Sequence, residues 1–183
     1  MTNEAKRAQQ EIEERFLTLV GEHAGILHKI AGAYSRNAED RRDLLQDMHA
    51  QLWRAFPRYD AERKFSTWMY RIALNVAISN LRRTGSRERL TRPLEESGPD
   101  SKGGVDLIDA RTELPESDDR VGALHRFIKK LDPLNRAILI LYLEEQSHRE
   151  IADVVGISES NVGTKIHRLK QRIREELAEI RSN

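Results

Sequence analysis

Cysteine is absent from the 183 residues, so disulfides, thiolate metal ligands and a cysteine nucleophile are excluded. Long apolar runs are missing as well. No stretch of eighteen consecutive apolar residues occurs, and we therefore expect no membrane contact through a spanning helix. Residues 1–10 are polar and lack the apolar segment of a secretory signal, which favours a cytoplasmic location.

The chain also lacks an excess of charge of one sign, because it has 31 basic and 30 acidic residues. A nucleic-acid-binding surface would therefore have to come from local clustering of charge. The six histidines are scattered without metal-ligand spacing, and there is no glycine-rich phosphate loop or nucleophile elbow. We expect no catalytic residue, no metal site and no cofactor, and hence no enzyme.

The residues that are present form helical patterns with no strand pattern among them. Between positions 12 and 81, apolar residues recur at a spacing near 3.6 in four stripes, which contain Phe16, Ile30, Met48 and Met69. Four amphipathic helices bury such faces against one another. This predicts a small helical domain over residues 1–83.

The periodicity disappears over residues 84–119. Nine acidic residues lie between positions 95 and 119, against only Lys102 and Arg111, and glycines and prolines interrupt the stretch. This composition predicts a flexible acidic linker. A second helical domain follows over residues 120–183, so the predicted fold class is all-α, with two small helical domains.

Residues 147–174 have the spacing of a helix-turn-helix. Ser147 and Glu150 form a capping box, Gly156 suits the tight turn, and Ser158 is a second N-cap. Apolar positions then define the buried face of a longer helix, which in this motif enters the major groove of DNA.

The outward face of that longer helix is basic. Residues 158–174 carry five basic residues and one acidic residue. Such side chains bond base edges and phosphates, although a solvated basic face in a protein-interaction domain would show the same charge. The residues predicted to contact DNA are Ser160, Asn161, Thr164, Lys165 and Arg168.

Two segments in order carry a family resemblance. Residues 131–177, reading LDPLNRAILILYLEEQSHREIADVVGISESNVGTKIHRLKQRIREEL, resemble the promoter-binding C-terminal domain of bacterial sigma factors. Residues 41–83, reading RRDLLQDMHAQLWRAFPRYDAERKFSTWMYRIALNVAISNLRR, resemble their core-binding, −10-reading domain. The chain is too short for the additional domains of larger members, so it resembles the extracytoplasmic-function (ECF) subgroup.

The resemblance implies a helix that binds the clamp of the largest catalytic subunit of core RNA polymerase. A solvated helix face is the alternative for the same residues. The residues implied in core binding are Asp43, Gln46, Asp47, Gln51 and Arg54.

It also implies a −10 reader in which aromatic and basic residues alternate, because aromatic rings stack on unpaired bases and cations hold the backbone. A flipped base would need a pocket, which we expect in the loop of residues 60–65. For Trp68 and Met69, a place in the core is the favoured interpretation. The residues implied in −10 DNA contact are Lys64, Phe65, Asn75, Ser79, Asn80, Arg82 and Arg83.

The implied partners are core RNA polymerase, through its clamp and flap, promoter DNA at its −10 and −35 elements, and an anti-sigma factor. The acidic linker would enter the nucleic-acid channel of the polymerase or act as a simple tether. Gly163 departs from the family, which often has a basic or polar side chain there, and we expect one base contact fewer. A stand-alone helix-turn-helix regulator and a sigma mimic that sequesters an anti-sigma factor are the rival interpretations.

Overall fold

A computed structural model describes residues 3–91 and 119–182, and within these ranges every regular element is helical. The all-α prediction is therefore confirmed. No helix in these ranges is both long enough and apolar enough to cross a membrane. The elements in chain order are α1 (Asn3–Glu22), α2 (Ala24–Tyr34), α3 (Ala38–Ala55), a short 3-10 helix (Phe56–Arg58), α4 (Phe65–Thr91), α5 (Asp119–Lys130), α6 (Pro133–Leu143), α7 (His148–Val155) and α8 (Glu159–Ser182).

Helices α2, α3 and α4 pack around one apolar core in the N-terminal half. Leu27, Ile30, Met48, Leu52 and Met69 are fully buried there, each on a stripe that the 3.6-residue period identified. Truncating a core residue of this kind to alanine typically costs about 2–5 kcal/mol. Burial of these stripes, rather than helix propensity alone, therefore holds the three helices together.

Polar caps and one proline set the ends of α3. The side chain of Asn37 accepts a hydrogen bond of 2.8 Å from the backbone N–H of Asp40, which satisfies one free donor of the first turn. At the other end, Pro57 cannot donate a helical hydrogen bond, and the chain tightens into the 3-10 turn. The following loop then leads into α4.

Helices α6, α7 and α8 pack against one another in the C-terminal half, and α5 lies against α6 and α8. Ile138, Leu141, Ile151 and Val162 are fully buried between them. Asp132 caps α6 by accepting a 3.0 Å hydrogen bond from the N–H of Asn135. Burial of residues from three helices in one core fixes the angle at which α8 leaves the turn.

The long helix α4 extends beyond the position at which the linker was predicted to begin. It continues to Thr91, so residues 84–91 are helical. The hydroxyl of Thr84 donates to the carbonyl of Asn80 at 3.0 Å, and a single glycine at position 85 costs a helix only about 1 kcal/mol. Residues 92–118, which hold most of the predicted linker, lie outside the described residues.

Candidate nucleic-acid interface

The predicted helix-turn-helix is present as α7, a tight turn and α8. Ser147 and Glu150 form the reciprocal capping box at the start of α7. Gly156 ends α7 in the left-handed region, with φ of 75°. Only glycine adopts that backbone conformation without a steric penalty from Cβ. Ser158 then caps α8 by accepting from the N–H of Asn161 at 3.3 Å.

The outward face of α8 carries the residues predicted to contact DNA. Val162, Ile166 and Leu169 are buried on the opposite face. Ser160, Asn161, Thr164 and Arg168 are exposed, and Lys165 is half-buried. All five therefore lie along one helix, and four of them face solvent.

Two of these side chains already have partners within the protein. The Thr164 hydroxyl donates to the Ser160 carbonyl at 3.1 Å. The Lys165 ammonium lies 3.3 Å from the amide oxygen of Asn135 at the start of α6. Lys165 is thus partly held by the scaffold, whereas the Asn161 amide and Arg168 have no side-chain partner among the described residues.

Two other cations of α8 lie over aromatic rings of the C-terminal half. The Lys170 ammonium is 4.5 Å from the centroid of the Tyr142 ring, and the Arg172 guanidinium is 5.6 Å from that of Phe127. Such cation–π contacts hold a charge against the protein. Lys170 is half-buried against its ring, whereas Arg172 stays exposed, so only Lys170 is partly withdrawn from the basic face of α8.

Gly163 does not occupy the outward face. A Cβ atom built there would lie 3.8 Å from the imidazole ring of His148, at the start of α7. The expected loss of one base contact at this position is therefore not supported by the geometry. The absent side chain faces α7, and its absence affects packing between the two helices.

The residues predicted to bind core polymerase line one side of α3. Leu44, Met48 and Leu52 are buried on the other side of this helix. Each of the five predicted residues is exposed: Asp43, Gln46, Asp47, Gln51 and Arg54. Helical spacing thus separates an inner apolar face from an outer polar one, as the sequence indicated.

A groove of about 510 Å³ joins this polar face of α3 to α4. Its α3 wall includes Asp47, Gln51 and Arg54, and its α4 wall includes Asn75, Ser79, Asn80 and Arg83. The guanidinium of Arg83 lies 3.6 Å from the carboxylate of Asp47 across it. The surfaces predicted separately for core binding and for −10 DNA are therefore adjacent.

Phe65 is placed differently from its prediction. It is only 6 % exposed, and its ring lies 5.2 Å from that of Trp68 and 5.3 Å from that of Tyr59. It belongs to an aromatic cluster with His23, Phe56, Tyr59 and Trp68, which precedes and follows the loop of residues 60–64. A free stacking surface for an unpaired base is thus lacking at Phe65, because packing of neighbouring rings has covered it. Met69 is buried and Trp68 is partly buried, as expected for core residues.

Lys64 and Arg71 mark the end of α4 that is nearest to α7. The ammonium of Lys64 lies 2.7 Å from a carboxylate oxygen of Glu150. The guanidinium of Arg71 donates to the carbonyl of Asp153. Arg71 is not among the residues predicted to contact −10 DNA. Its position four residues before Asn75, on the same exposed face, is the signal that would have added it to the predicted set.

Arg82 and Arg83 continue the exposed face towards the C-terminal end of α4. Arg71, Asn75, Ser79 and Arg83 are spaced by four residues, so they follow one stripe of the helix. A stripe of this kind offers cations and amides to a phosphate backbone and to base edges.

Family models match both halves of the chain in order. The model described as sigma-70 region 2 matches residues 19–87, and that described as sigma-70 region 4 matches residues 122–173. Two matches in this order disfavour a stand-alone helix-turn-helix regulator, whose N-terminal half would have no such counterpart.

Curated relatives agree with the family models. The ECF RNA polymerase sigma factor SigE of Mycolicibacterium smegmatis is 32% identical over 87% of the chain, which spans 60% of that relative's length. The ECF RNA polymerase sigma factor SigW of Bacillus subtilis is 26% identical over 96% of the chain and 95% of its own length.

Solved structures share the fold. RpoE of Bartonella quintana, in complex with the anti-sigma factor NepR, aligns with a TM-score of 0.64 and 18% identity over 92% of the chain and 98% of its own. CnrH, in complex with the cytosolic domain of CnrY, aligns with a TM-score of 0.61 and 23% identity over 91% of the chain and 89% of its own. With the helix-turn-helix and both family regions in place, the chain belongs to the ECF sigma factors, non-catalytic initiation factors that direct bacterial RNA polymerase to promoters.

Proposed function

We propose that this protein binds core RNA polymerase through α3, captures the unpaired −10 strand on α4 and its preceding loop, and places α8 in the major groove of the −35 element. The observation that carries the proposal is the groove between α3 and α4, where both predicted residue sets of the N-terminal half meet. Core polymerase bound to α3 would deliver melted DNA directly beside the polar stripe of α4.

The −10 role is assigned to the polar side chains of α4 and of the loop before it, and not to Phe65. Lys64, Asn75, Ser79, Asn80, Arg82 and Arg83 would contact the strand, and Arg71 joins them. Lysine and arginine hold phosphates, and amides read base edges. Phe65 would support the loop from beneath, together with Tyr59 and Trp68.

The −35 role is assigned to the start of α8. Asn161 and Arg168 present exposed donors, and Ser160, Thr164 and Lys165 flank them. A bidentate amide or guanidinium contact to a base discriminates by about 1–3 kcal/mol. The protein would thus recognise two separated DNA elements, and it would do so in the cytoplasm without catalytic activity of its own.

An anti-sigma factor is the remaining proposed partner. The two solved neighbours were both determined with such a partner or with a cytosolic domain bound to them. We assign no surface to this partner.

The domain limits remain part of the proposal. Residues 1–83 would form the core-binding and −10 domain, residues 84–119 the linker, and residues 120–183 the −35 domain. Since α4 continues to Thr91, the folded part of the first domain would extend past position 83.

Run-off transcription tests the proposal directly. The purified full chain is combined with bacterial core polymerase and a library of fragments from the host genome. Transcripts that require the protein and share two upstream motifs support it. Tight binding to duplex DNA without core polymerase, and no transcripts with it, would instead identify a stand-alone regulator. Core binding without transcripts from any fragment would point to a sigma mimic.

A further inference from the structure

Helix α7 lies across the N-terminal end of the α4 stripe that we assign to −10 DNA. The Lys64 ammonium bonds the Glu150 carboxylate at 2.7 Å, and the Arg71 guanidinium bonds the Asp153 carbonyl. A carboxylate and a carbonyl oxygen thus stand where phosphate oxygens of a bound strand would stand. The two cations cannot hold α7 and a DNA backbone at the same time.

Glu150 is well suited to occupy Lys64 in place of a phosphate. It accepts from Lys64 and also from the backbone N–H and hydroxyl of Ser147, and together these bonds lower its pKa from 4.5 to about 2. It therefore remains ionised throughout the physiological range. The capping box fixes its rotamer, so the charge is directed at Lys64 without further ordering.

A second set of contacts joins the same two halves away from the DNA surfaces. The Lys29 ammonium lies 2.5 Å from the Glu144 carboxylate, and the Tyr70 hydroxyl donates to that carboxylate at 3.3 Å. Burial and the adjacent Glu144 raise the pKa of Tyr70, so its hydroxyl keeps its proton. The Tyr34 hydroxyl donates to the Pro133 carbonyl at 2.7 Å.

This arrangement cannot read both promoter elements. The −35 and −10 elements are centred about 25 base pairs apart, which is roughly 85 Å of straight duplex. Helix α7 contacts α4 and also packs on α8, and the 24 residues of α8 span only about 36 Å. Engagement of both elements therefore requires the two halves to separate.

The two exposed ion pairs that join the halves are of a kind that separates readily. The side chain of Lys64 is 74% exposed and that of Lys29 is 54% exposed, and ion pairs this open to water are individually weak.

We propose that α7 acts as an intramolecular substitute for nucleic acid: in the free protein it occupies Lys64 and Arg71 through Glu150 and Asp153, and it must leave them before the −10 strand binds. The proposal rests on the assignment of α4 to −10 DNA. Core polymerase would favour the open state, because it binds the two halves at separate places.

The charge pair Lys29–Glu144 allows a test that leaves every assigned DNA contact intact. Lys29→Glu and Glu144→Lys each break the pair, and the double exchange restores it with the original net charge. Because the chain has no cysteine, Glu39→Cys and Gln171→Cys introduce two unique spin-label sites, on α3 and α8. Pulsed EPR on the full chain then reports the distance between the two halves.

The expected result is one short, narrow distance for the parent protein and the double exchange, and a longer, broader distribution for each single variant. Each single variant should also bind a fluorescent, mixed-sequence 12-nucleotide DNA strand more tightly than the parent protein does. If about a tenth to a fifth of the parent protein is open, full opening strengthens binding about five- to tenfold. The double exchange should return to the parent affinity.

The variant Glu150→Gln tests more directly whether α7 occupies the place of nucleic acid. Glutamine preserves the capping box but removes the charge that faces Lys64. Strand binding should strengthen relative to Glu175→Gln, which makes the same charge change at an exposed site on α8 away from this contact. Equal affinities for these two variants would contradict the proposal.

The proposal is also overturned if the parent distance is already long and the single variants leave it unchanged, or if the variants open the protein without changing strand affinity. Run-off transcription by the parent protein distinguishes failure of this inference from failure of the proposed function. Transcription with no effect of the variants refutes the closed state alone, whereas absence of both core binding and transcription refutes the proposed function.

Discussion

The Arg136 guanidinium lies over the ring of Tyr34, 5.0 Å from its centroid, and joins the two halves of the protein. It donates to the carbonyls of Ile128 and Leu131 at 3.1 and 3.0 Å, and to that of Ala33 at 3.0 Å. These carbonyls lie at the C-terminal ends of α5 and α2, where helices leave acceptors unsatisfied. Arg136 is only 8% exposed, and burial lowers its pKa, while Tyr34 and Asp132 act in the opposite direction.

Replacing Arg136 with methionine should therefore be strongly destabilising. The variant keeps an apolar stem of similar length but leaves several buried carbonyls without a donor, and we expect a loss of about 3 kcal/mol in the free energy of unfolding. Urea denaturation of the full chain measures it. Arg126→Met, at an exposed position of α5, is the matched control and should change stability by less than about 0.5 kcal/mol. Equal losses in both variants would contradict this role of Arg136.

Two glycines of the helix-turn-helix should respond to alanine in opposite directions. Gly156 has φ of 75°, where a Cβ atom is strained, so Gly156→Ala should lower stability by about 1–2 kcal/mol. Gly163 is inside α8, and its new Cβ would make an ordinary 3.8 Å contact with His148, so Gly163→Ala should raise stability by about 0.5–1 kcal/mol. Thermal unfolding of the two variants measures both changes. A loss of stability in Gly163→Ala would show that the helices need closer contact there.

The stabilising effect of Glu150 should disappear in acid. Hydrogen bonds from Lys64 and Ser147 hold its folded-state pKa near 2, below the ordinary value of 4.5. A carboxyl with a depressed pKa contributes stability above pH 4.5 and loses that contribution as the pH falls towards 2. The difference in melting temperature between the parent protein and Glu150→Gln should accordingly be largest at neutral pH and shrink between pH 5 and pH 2. A difference that stays constant across that range would exclude ionisation of Glu150 as its source.

Two basic residues of α8 should differ in their effect on the salt dependence of −35 binding. Arg168 is exposed, and we expect Arg168→Ala to reduce the slope of log K against log salt by about one. Lys170 lies over the Tyr142 ring, so Lys170→Ala should change the slope much less. Fluorescence anisotropy of the holoenzyme on a promoter duplex, at several salt concentrations, measures both. Equal slopes for the two variants would mean that Lys170 leaves the ring and contacts phosphate.

Core polymerase affinity should depend on the groove wall of α3. Gln51→Ala removes an exposed side chain that lines the groove without touching the buried face of the helix. We expect weaker binding to core enzyme with unchanged thermal stability. Glu39→Gln, exposed at the start of the same helix, is the control and should bind core enzyme as the parent does. If both variants bind equally well, the core-binding surface lies elsewhere.

Much of the fold follows from spacing along the chain. The capping box of Ser147 and Glu150, the turn at Gly156 and the buried stripe through Val162 were all predicted, because each depends on residues within a few positions of one another. The exposed face of α3 followed from the same periodicity. The end of α4 was predicted less well, because one glycine is a weak stop signal and the residues after it are good helix formers.

Roles that depend on distant residues were not predictable in the same way. The sequence predicts a base contact for Phe65, but the distant His23 packs against its ring together with Tyr59 and Trp68. The sequence predicts a DNA contact for Lys64, but the carboxylate that Lys64 binds in the structure lies 86 positions further along the chain. An aromatic or a cation has the same sequence signal whether it meets a ligand or another part of its own protein.

Patterns among neighbouring residues were therefore sufficient to predict the helices, the helix-turn-helix and the family. Helix propensity, capping and the 3.6-residue period depend on residues close together in sequence, so they can be recognised without knowing the tertiary structure. Packing of α7 against α4 and the contact of Arg136 with the C-terminal end of α2 arise only when segments far apart in sequence meet. Which long-range contacts form depends on the apolar area that they bury and on the polar groups that they satisfy. Neither quantity can be calculated from one segment alone.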